Sequence, residues 1–331
     1  MEKIFSSVPA AKNVRVNVIG AGVIGLTFGL ILQRKGYQVK IMAEHFPGDH
    51  NINYTSPWAG ADWRAINLNA REQKFFEDSF KYLWDLAETP DTGIIRLPLY
   101  DYIEKSYSDV ITWLEDLVPN LKIIPKDELP PNTGFGMSYT TVTIDVDKYL
   151  PWLLNQFVDA GGKYEKRHLA NINEAMEDDV DVVVNCTGIM ARYFGGVEDS
   201  NVYPIRGQIV VAWAPHIKKA IHHQDKDSVT YIIPRENGVV ILGGTLDEND
   251  YTEAPNPRVA EEIIKRCIKI CPELTSGKGA ESLEIKRHAV GLRPARKGNI
   301  RLEVEMRKNP NDKDVIVCHN YGHSSYVGKH V

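Results

Sequence analysis

Cysteine is scarce, with four in 331 residues: Cys186, Cys267, Cys271 and Cys318. A chain this long can bury a full core, so a disulfide-stapled scaffold is excluded as its organising principle. Cys267 and Cys271 stand four apart in a helical pattern. No second His or Cys pair lies near enough in sequence to complete a zinc set. An excess of basic charge is also missing: 39 Lys and Arg face 44 Asp and Glu, for a formal net charge of −5. Such a balance gives no field to gather nucleic acid. No run of 18 apolar residues occurs, and residues 1–9 contain no apolar signal segment, so the expectation is a soluble intracellular protein without a membrane partner. Internal repeats and low-complexity tracts are absent. Hydrophobic residues at 43% and charged residues at 25% describe ordinary globular composition. The length suits about two domains.

The opening of the chain carries the first positive signal. Val14–Ile19 is a buried-strand pattern that runs straight into Gly20-Ala21-Gly22-Val23-Ile24-Gly25. Leu26–Lys35 then has helical character and stops at Gly36. Tyr37–Met42 is a second strand, followed by Glu44, 24 residues after Gly20. Strand, glycine turn, helix, strand and acid within this span form the opening unit of a dinucleotide-binding sheet. Gly20 permits the tight turn, Gly22 lets backbone approach a pyrophosphate, and Gly25 lets helix and sheet pack closely. The helix N-terminus favours phosphate, and Glu44 accepts from ribose hydroxyls.

These glycines do not choose between NAD and FAD. Asp181-Val-Val-Val-Asn-Cys-Thr-Gly188 is a late apolar strand ending in glycine. The excursion of more than 100 residues that it closes suits a large cofactor. Between and beyond lie a loop over Pro47–Trp58, a helix over Arg71–Leu86, and a Pro- and Gly-punctuated stretch over Pro90–Phe135. Thr141–Ile144 is extended, and Asp147 caps a helix reaching Ala160. Strands are expected over Ile205–Trp213, Val229–Ile233 and Val239–Leu242. A helix over Pro257–Cys271 precedes extended segments at Glu284–Val290, Ile300–Val304 and Val315–Val317.

Several further motifs occur in order along nearly the whole chain. They are Ser56-Pro-Trp58-Ala59-Gly60-Ala61, Pro204-Ile-Arg-Gly-Gln208, Tyr231-Ile-Ile-Pro-Arg235, Gly243-Gly-Thr245, Arg287-His-Ala-Val-Gly-Leu-Arg293-Pro294 and His319-Asn-Tyr-Gly322. With the glycine turn and the Gly188 strand, they make the sequence resemble the D-amino acid oxidase and D-aspartate oxidase family, its fungal members above all. The resemblance implies an α/β fold in two parts. A Rossmann-like FAD-binding domain would use about 1–60, 145–190 and 290–331. A substrate domain with a curved, mixed and largely antiparallel sheet would use about 61–144 and 191–289.

Oxidation of a D-amino acid to an imino acid follows from the same resemblance, with hydrolysis to a 2-oxo acid and ammonia. Dioxygen is then reduced to hydrogen peroxide. Arg293 would hold the substrate carboxylate with its guanidinium fork, Tyr231 would donate its hydroxyl to it, and the Ser325 carbonyl would receive the substrate amine. Ser56, Trp58, Ala59, Gly60, Gly188 and Gly322 would approach the flavin. No side-chain base is implied, so His288, His319 and His323 are assigned core or supporting roles, and no metal is expected.

Departures from the family's pattern matter as well. Leu246 stands where many members carry a tyrosine or arginine, which implies an apolar pocket for neutral D-amino acids. Arg64, Arg235 or a histidine would be the alternative anchors for an acidic substrate, the D-aspartate oxidase reading. The long helix that the family places after His-x-Tyr-Gly is absent before Val331. An inactive FAD-binding relic is therefore a second alternative. Family members imply a peroxisomal address, yet Lys329-His330-Val331 does not match it, and a cytoplasmic location stays open. The resemblance also allows a homodimer.

Overall fold

A computed structural model describes residues 13–64, 70–103, 113–131, 133–225 and 228–324. Fifteen strands occur among the described residues: β1 (Arg15–Ile19), β2 (Gln38–Ala43), β3 (Ile94–Ile103), β4 (Lys122–Ile123), β5 (Phe135–Ile144), β6 (Lys163–Lys166), β7 (Val182–Asn185), β8 (Val202–Trp213), β9 (Ala220–Gln224), β10 (Val229–Pro234), β11 (Val239–Gly243), β12 (Asp247–Glu248), β13 (Glu284–Arg296), β14 (Arg301–Lys308) and β15 (Asp314–Tyr321). The α-helices are α1 (Val23–Arg34), α2 (Ala70–Leu86), α3 (Val146–Asp159) and α4 (Pro257–Ile270). The chain divides into two compact units. Unit 1 takes the described residues up to Pro57, Leu150–Ile205 and those from Leu292 onward; unit 2 takes the described parts of Trp58–Tyr149 and Arg206–Gly291.

Unit 1 holds a six-stranded sheet in the order β14-β15-β7-β1-β2-β6. β1 lies between β2 and β7, parallel to both. Its last four residues, Val16–Ile19, are all buried, as the apolar run requires for a strand covered on both faces. α1 buries Gly25, Leu26, Gly29 and Leu30 as one stripe. It begins at Val23, three residues before the expected Leu26, because the glycine turn passes directly into the first helical turn. Residues 191–205, expected with the substrate domain, fall in unit 1. There Ala191 and Val202 share a buried cluster with Ile189 and Tyr321.

Unit 2 is built on the second sheet, ordered β12-β8-β11-β10-β9-β3-β5-β4, with β13 also pairing β8. Most pairings are antiparallel, and β3 with β9 is parallel. α4 covers it through Ala260, Ile263 and Cys267, which pack with Val210, Ile232 and Leu242. Asn256 caps that helix by accepting from the Arg258 amide at 3.0 Å, with Pro257 at the first helical position.

Five strands lie outside the sequence expectation: β3 and β4 replace parts of the punctuated stretch, and β6, β9 and β12 fall where no strand is expected. Pro98 is tolerated inside β3 because β9 begins to pair only at Leu99, so no partner on that side needs the missing amide. The cap of α3 also shifts. Asp145 accepts from the Asp147 amide at 3.3 Å, so Asp145 rather than Asp147 caps it. Among the described residues no helix is long and apolar enough to cross a membrane.

Candidate active site

In unit 1 the glycine turn is fixed by close backbone packing. Gly20 has φ +102°, and a Cβ there would meet the Cys186 carbonyl oxygen at 2.5 Å. A Cβ on Gly25 would fall 1.9 Å from the Gly20 oxygen. Ala21 is buried, and its carbonyl accepts from the Tyr54 hydroxyl at 2.8 Å. Gly22 is the N-cap of α1, and the Val23 amide donates to Ser56 Oγ at 2.9 Å. The first turn, which includes Ile24 and Gly25, carries no acidic residue. Its partial positive charge is therefore not offset by an acid within that turn. Glu44 follows β2 with an exposed carboxylate bonded to His168 Nδ1 at 2.9 Å.

The turn after β7 is held by a chain of hydrogen bonds that sequence reasoning did not find. Thr187 donates to Asn185 Oδ1 from its amide (3.2 Å) and its hydroxyl (2.7 Å). Asn185 Nδ2 donates to His319 Nδ1 at 3.1 Å, and His319 Nε2 donates to Glu305 at 3.0 Å. His319 is fully buried and spends both ring nitrogens on this chain, so it supports Gly188. Gly188 has φ +58°, and among the described residues, its chain neighbours aside, no atom lies within 4 Å of where its Cβ would be. Its only sequence cue is an Asn-x-Thr-Gly ending on a strand, with the histidine 134 residues away.

Burial pushes the His319 imidazole below its ordinary range, partly offset by the Glu305 bond, and pushes His323 down to about 4. Both groups bind protons more readily in the unfolded chain. Their contribution to stability is complete above the unfolded value of about 6.5 and is lost as pH falls toward the folded one. The expected result is a falling thermal midpoint between about pH 6.5 and 4, with part of that slope removed in His323→Asn. Scanning calorimetry across this range checks it; an unchanged slope would contradict it.

Arg293 lies within β13, partly buried beside Leu292 and Ala295. Thr55 Oγ1 donates to the Leu292 carbonyl at 2.8 Å, and the Ser324 amide donates to the Pro294 carbonyl at 2.9 Å. The Ser56 segment and the turn at Gly322 (φ +84°) are thus tied to the strand on either side of Arg293. Ser325 lies outside the described residues. Unit 1 therefore carries Gly20–Gly25, Glu44, Ser56, Gly188, Arg293 and Gly322.

Unit 2 carries Trp58, Ala59, Gly60 and Tyr231. Tyr231 stands on β10 opposite Gly243 and His222, and is 6% exposed. Its ring lies where side chains on Gly243 and Gly244 would be: a Cβ at either would come within 2.5 Å of its hydroxyl oxygen. Gly60 comes against the same ring, and Gly291 makes room for Trp58. The Ala59 carbonyl accepts from Arg235 at 2.9 Å.

Three arginines of unit 2 are engaged by other groups. Arg64 forms a buried bidentate pair with Asp101 at 2.7 and 2.8 Å. Arg235 reaches Asp145 and Asp147, both at 3.3 Å. Both guanidinium groups thus already have carboxylate partners. Arg206 donates to the carbonyls of Thr252 (2.7 Å) and Ala254 (3.0 Å), and Gln208 exchanges two 2.8 Å bonds with Asn256. These two side chains fasten the segment that leads into α4. Leu246 is 37% exposed.

The fit to a dinucleotide cofactor rests on unit 1. Two glycines admit no Cβ, the helix N-terminus carries no acid in its first turn, and Gly188 borders open space. Comparison with known proteins agrees. The family model described as FAD dependent oxidoreductase matches residues 15–327. A D-amino-acid oxidase of Schizosaccharomyces pombe is 38% identical over 321 residues, spanning 93% of this chain and 90% of the relative. One from Rubrobacter xylanophilus is 33% identical, again over 93% of this chain and 90% of its own. Among solved structures, the fold is similar to L-proline dehydrogenase from P. horikoshii, with TM-score 0.73, 17% identity, and coverage of 96% of this chain and 90% of that one. Glycine oxidase from Geobacillus kaustophilus gives TM-score 0.70 at 17% identity, with 94% and 90% covered. The chain thus belongs to the FAD dependent oxidoreductase family, and FAD is its cofactor.

Proposed function

We propose that this chain oxidises neutral D-amino acids to 2-oxo acids, releasing ammonia and hydrogen peroxide. The observation that carries the reading is Arg293, set in β13 between two tethers to cofactor-side segments. The similarity to two D-amino-acid oxidases over 93% of the chain supports it. When bound, FAD supplies the two-electron acceptor for the substrate α-C–H bond and returns those electrons to dioxygen.

The protein's own task is binding and alignment. Arg293 presents two parallel N–H donors to the substrate carboxylate and fixes its plane as well as its position. Tyr231 is the second donor on this reading, its ring filling the space that Gly243 and Gly244 leave by lacking side chains. A carboxylate so held fixes the C1–Cα axis and confines the Cα–H bond to rotation about it, and alignment is the larger part of the catalysis. The substrate amine must be neutral for the α-hydrogen to leave with its electron pair. Water then hydrolyses the imine to the 2-oxo acid and ammonia. Neutral side chains are preferred because Leu246 offers no charge and Arg64 and Arg235 are already paired, and an unpaired buried carboxylate is costly.

The visible spectrum of the purified protein, recorded anaerobically, tests this. D-Alanine is expected to bleach the flavin bands, with L-alanine inert and D-aspartate much slower. Bleaching by D-aspartate first would overturn the neutral-substrate reading; no bleaching by any D-amino acid would overturn the activity.

A further inference from the structure

His222 and Asp62 form a buried pair 160 residues apart in sequence, at 2.7 Å between Nε2 and Oδ2, with side chains 3% and 9% exposed. A carboxylate only accepts, so Nε2 carries a hydrogen and Nδ1 is the ring nitrogen left facing away from Asp62. That Nδ1 is buried and has no hydrogen-bond partner among the described residues. One face of the imidazole is covered by the Tyr231 ring, at 5.7 Å between centroids and 29° between planes. Asp101, opposite His222 across the β3–β9 register, is already engaged by Arg64. The next histidine, His223, meets Thr133 at 3.2 Å. A fixed, oriented ring nitrogen therefore sits beside Tyr231 with no partner among the described residues. Buried acceptors are rarely left so unless something else supplies the donor.

We propose that His222 is a specificity-determining residue whose Nδ1 accepts a hydrogen bond from the substrate's own side chain. This rests on the reading of Tyr231 as a carboxylate-side residue of an amino acid oxidase. A substrate whose carboxylate is held at the Tyr231 hydroxyl projects its side chain within a few bonds of that point, and the imidazole is the ring's immediate neighbour. The favoured class is D-amino acids carrying a short hydroxyl or primary amide donor, over apolar side chains of the same shape. Asp62 is a positioning residue in this scheme, because it fixes which ring nitrogen accepts.

The test compares kcat/KM for isosteric pairs, D-serine against D-2-aminobutyrate and D-threonine against D-valine. It uses the wild-type holoenzyme, His222→Leu and His222→Asn. The donor-bearing member is expected to lead in the wild type, and the ratio to fall about tenfold in His222→Leu. His222→Asn places a carboxamide oxygen close to the Nδ1 position and should recover most of the ratio. It also covers the case in which the leucine variant fails to fold, with flavin content and thermal midpoint recorded for each. Equal ratios in wild type and both variants, with D-alanine still oxidised, would sink this inference alone. A wild type that prefers D-aspartate, and loses that preference in His222→Leu, would also overturn it, since the ring would then be serving as a cation. If no D-amino acid bleaches the wild-type flavin, the functional reading itself has failed.

Discussion

Replacing Arg293 with alanine is expected to lower kcat/KM for D-alanine about a thousandfold while leaving bound flavin unchanged. The size follows from desolvation. Losing one partner of a buried charge pair costs roughly 3–5 kcal/mol, and each 1.4 kcal/mol is about a factor of ten. Arg293→Lys keeps the charge but loses the fork, so a loss near a hundredfold is expected, most of it in kcat through lost orientation. Steady-state kinetics on flavin-matched samples measures both. A loss below tenfold in the alanine variant would mean the carboxylate is held elsewhere, and the assignment of Arg293 would be abandoned.

The second large effect concerns the glycine turn. Gly25→Ala would place a methyl 1.9 Å from the Gly20 carbonyl oxygen, a backbone atom that cannot swing aside. Strand and helix must then separate, and neither can give cheaply in a packed sheet. The expected product is colourless, with a thermal midpoint lower by roughly 10 °C. Gly188→Ala should behave differently. Its chain neighbours aside, the new methyl meets no atom of the described residues within 4 Å, so the fold bears the left-handed backbone cost of about 1–2 kcal/mol. Its loss should appear chiefly in FAD affinity, because the new methyl enters the open space beside β7. Flavin fluorescence titration and thermal melts on the two variants separate these outcomes. Equal effects on both readouts would remove Gly188 from the cofactor site.

The parts of this molecule legible in its sequence are those where a local rule operates. The glycine turn with its flanking strands follows from φ and close approach. α4 follows from its apolar stripe and its Asn256-Pro257 start, and β10 and β11 from apolar runs between turn residues. β3 was hidden by Pro98 and by the Arg96 and Asp101 charges, which only its neighbours explain: one residue of offset from β9, and the ion pair with Arg64. Arg293 was recognised as a residue type in a motif, but the extended segment was expected to end at Val290, whereas β13 continues to Arg296. The least legible groups are those joined across distance. His222 with Asp62, and Asn185 with His319 and Glu305, become partners only when strands far apart in sequence align. Arg64 and Arg235 read as available cations until the carboxylates that occupy them were visible.

The strand order of unit 1 also sets a timetable for the nascent chain. β1, α1 and β2 emerge early, yet β1 needs β7 as its second neighbour, and β7 in turn needs β15. About 280 residues separate the end of β2 from the end of β15. At about 5–20 residues per second, the ribosome takes roughly 15–60 seconds to supply them. During that interval the edges of β1 and then β7 wait unpaired, a window in which they are open to pairing with other chains.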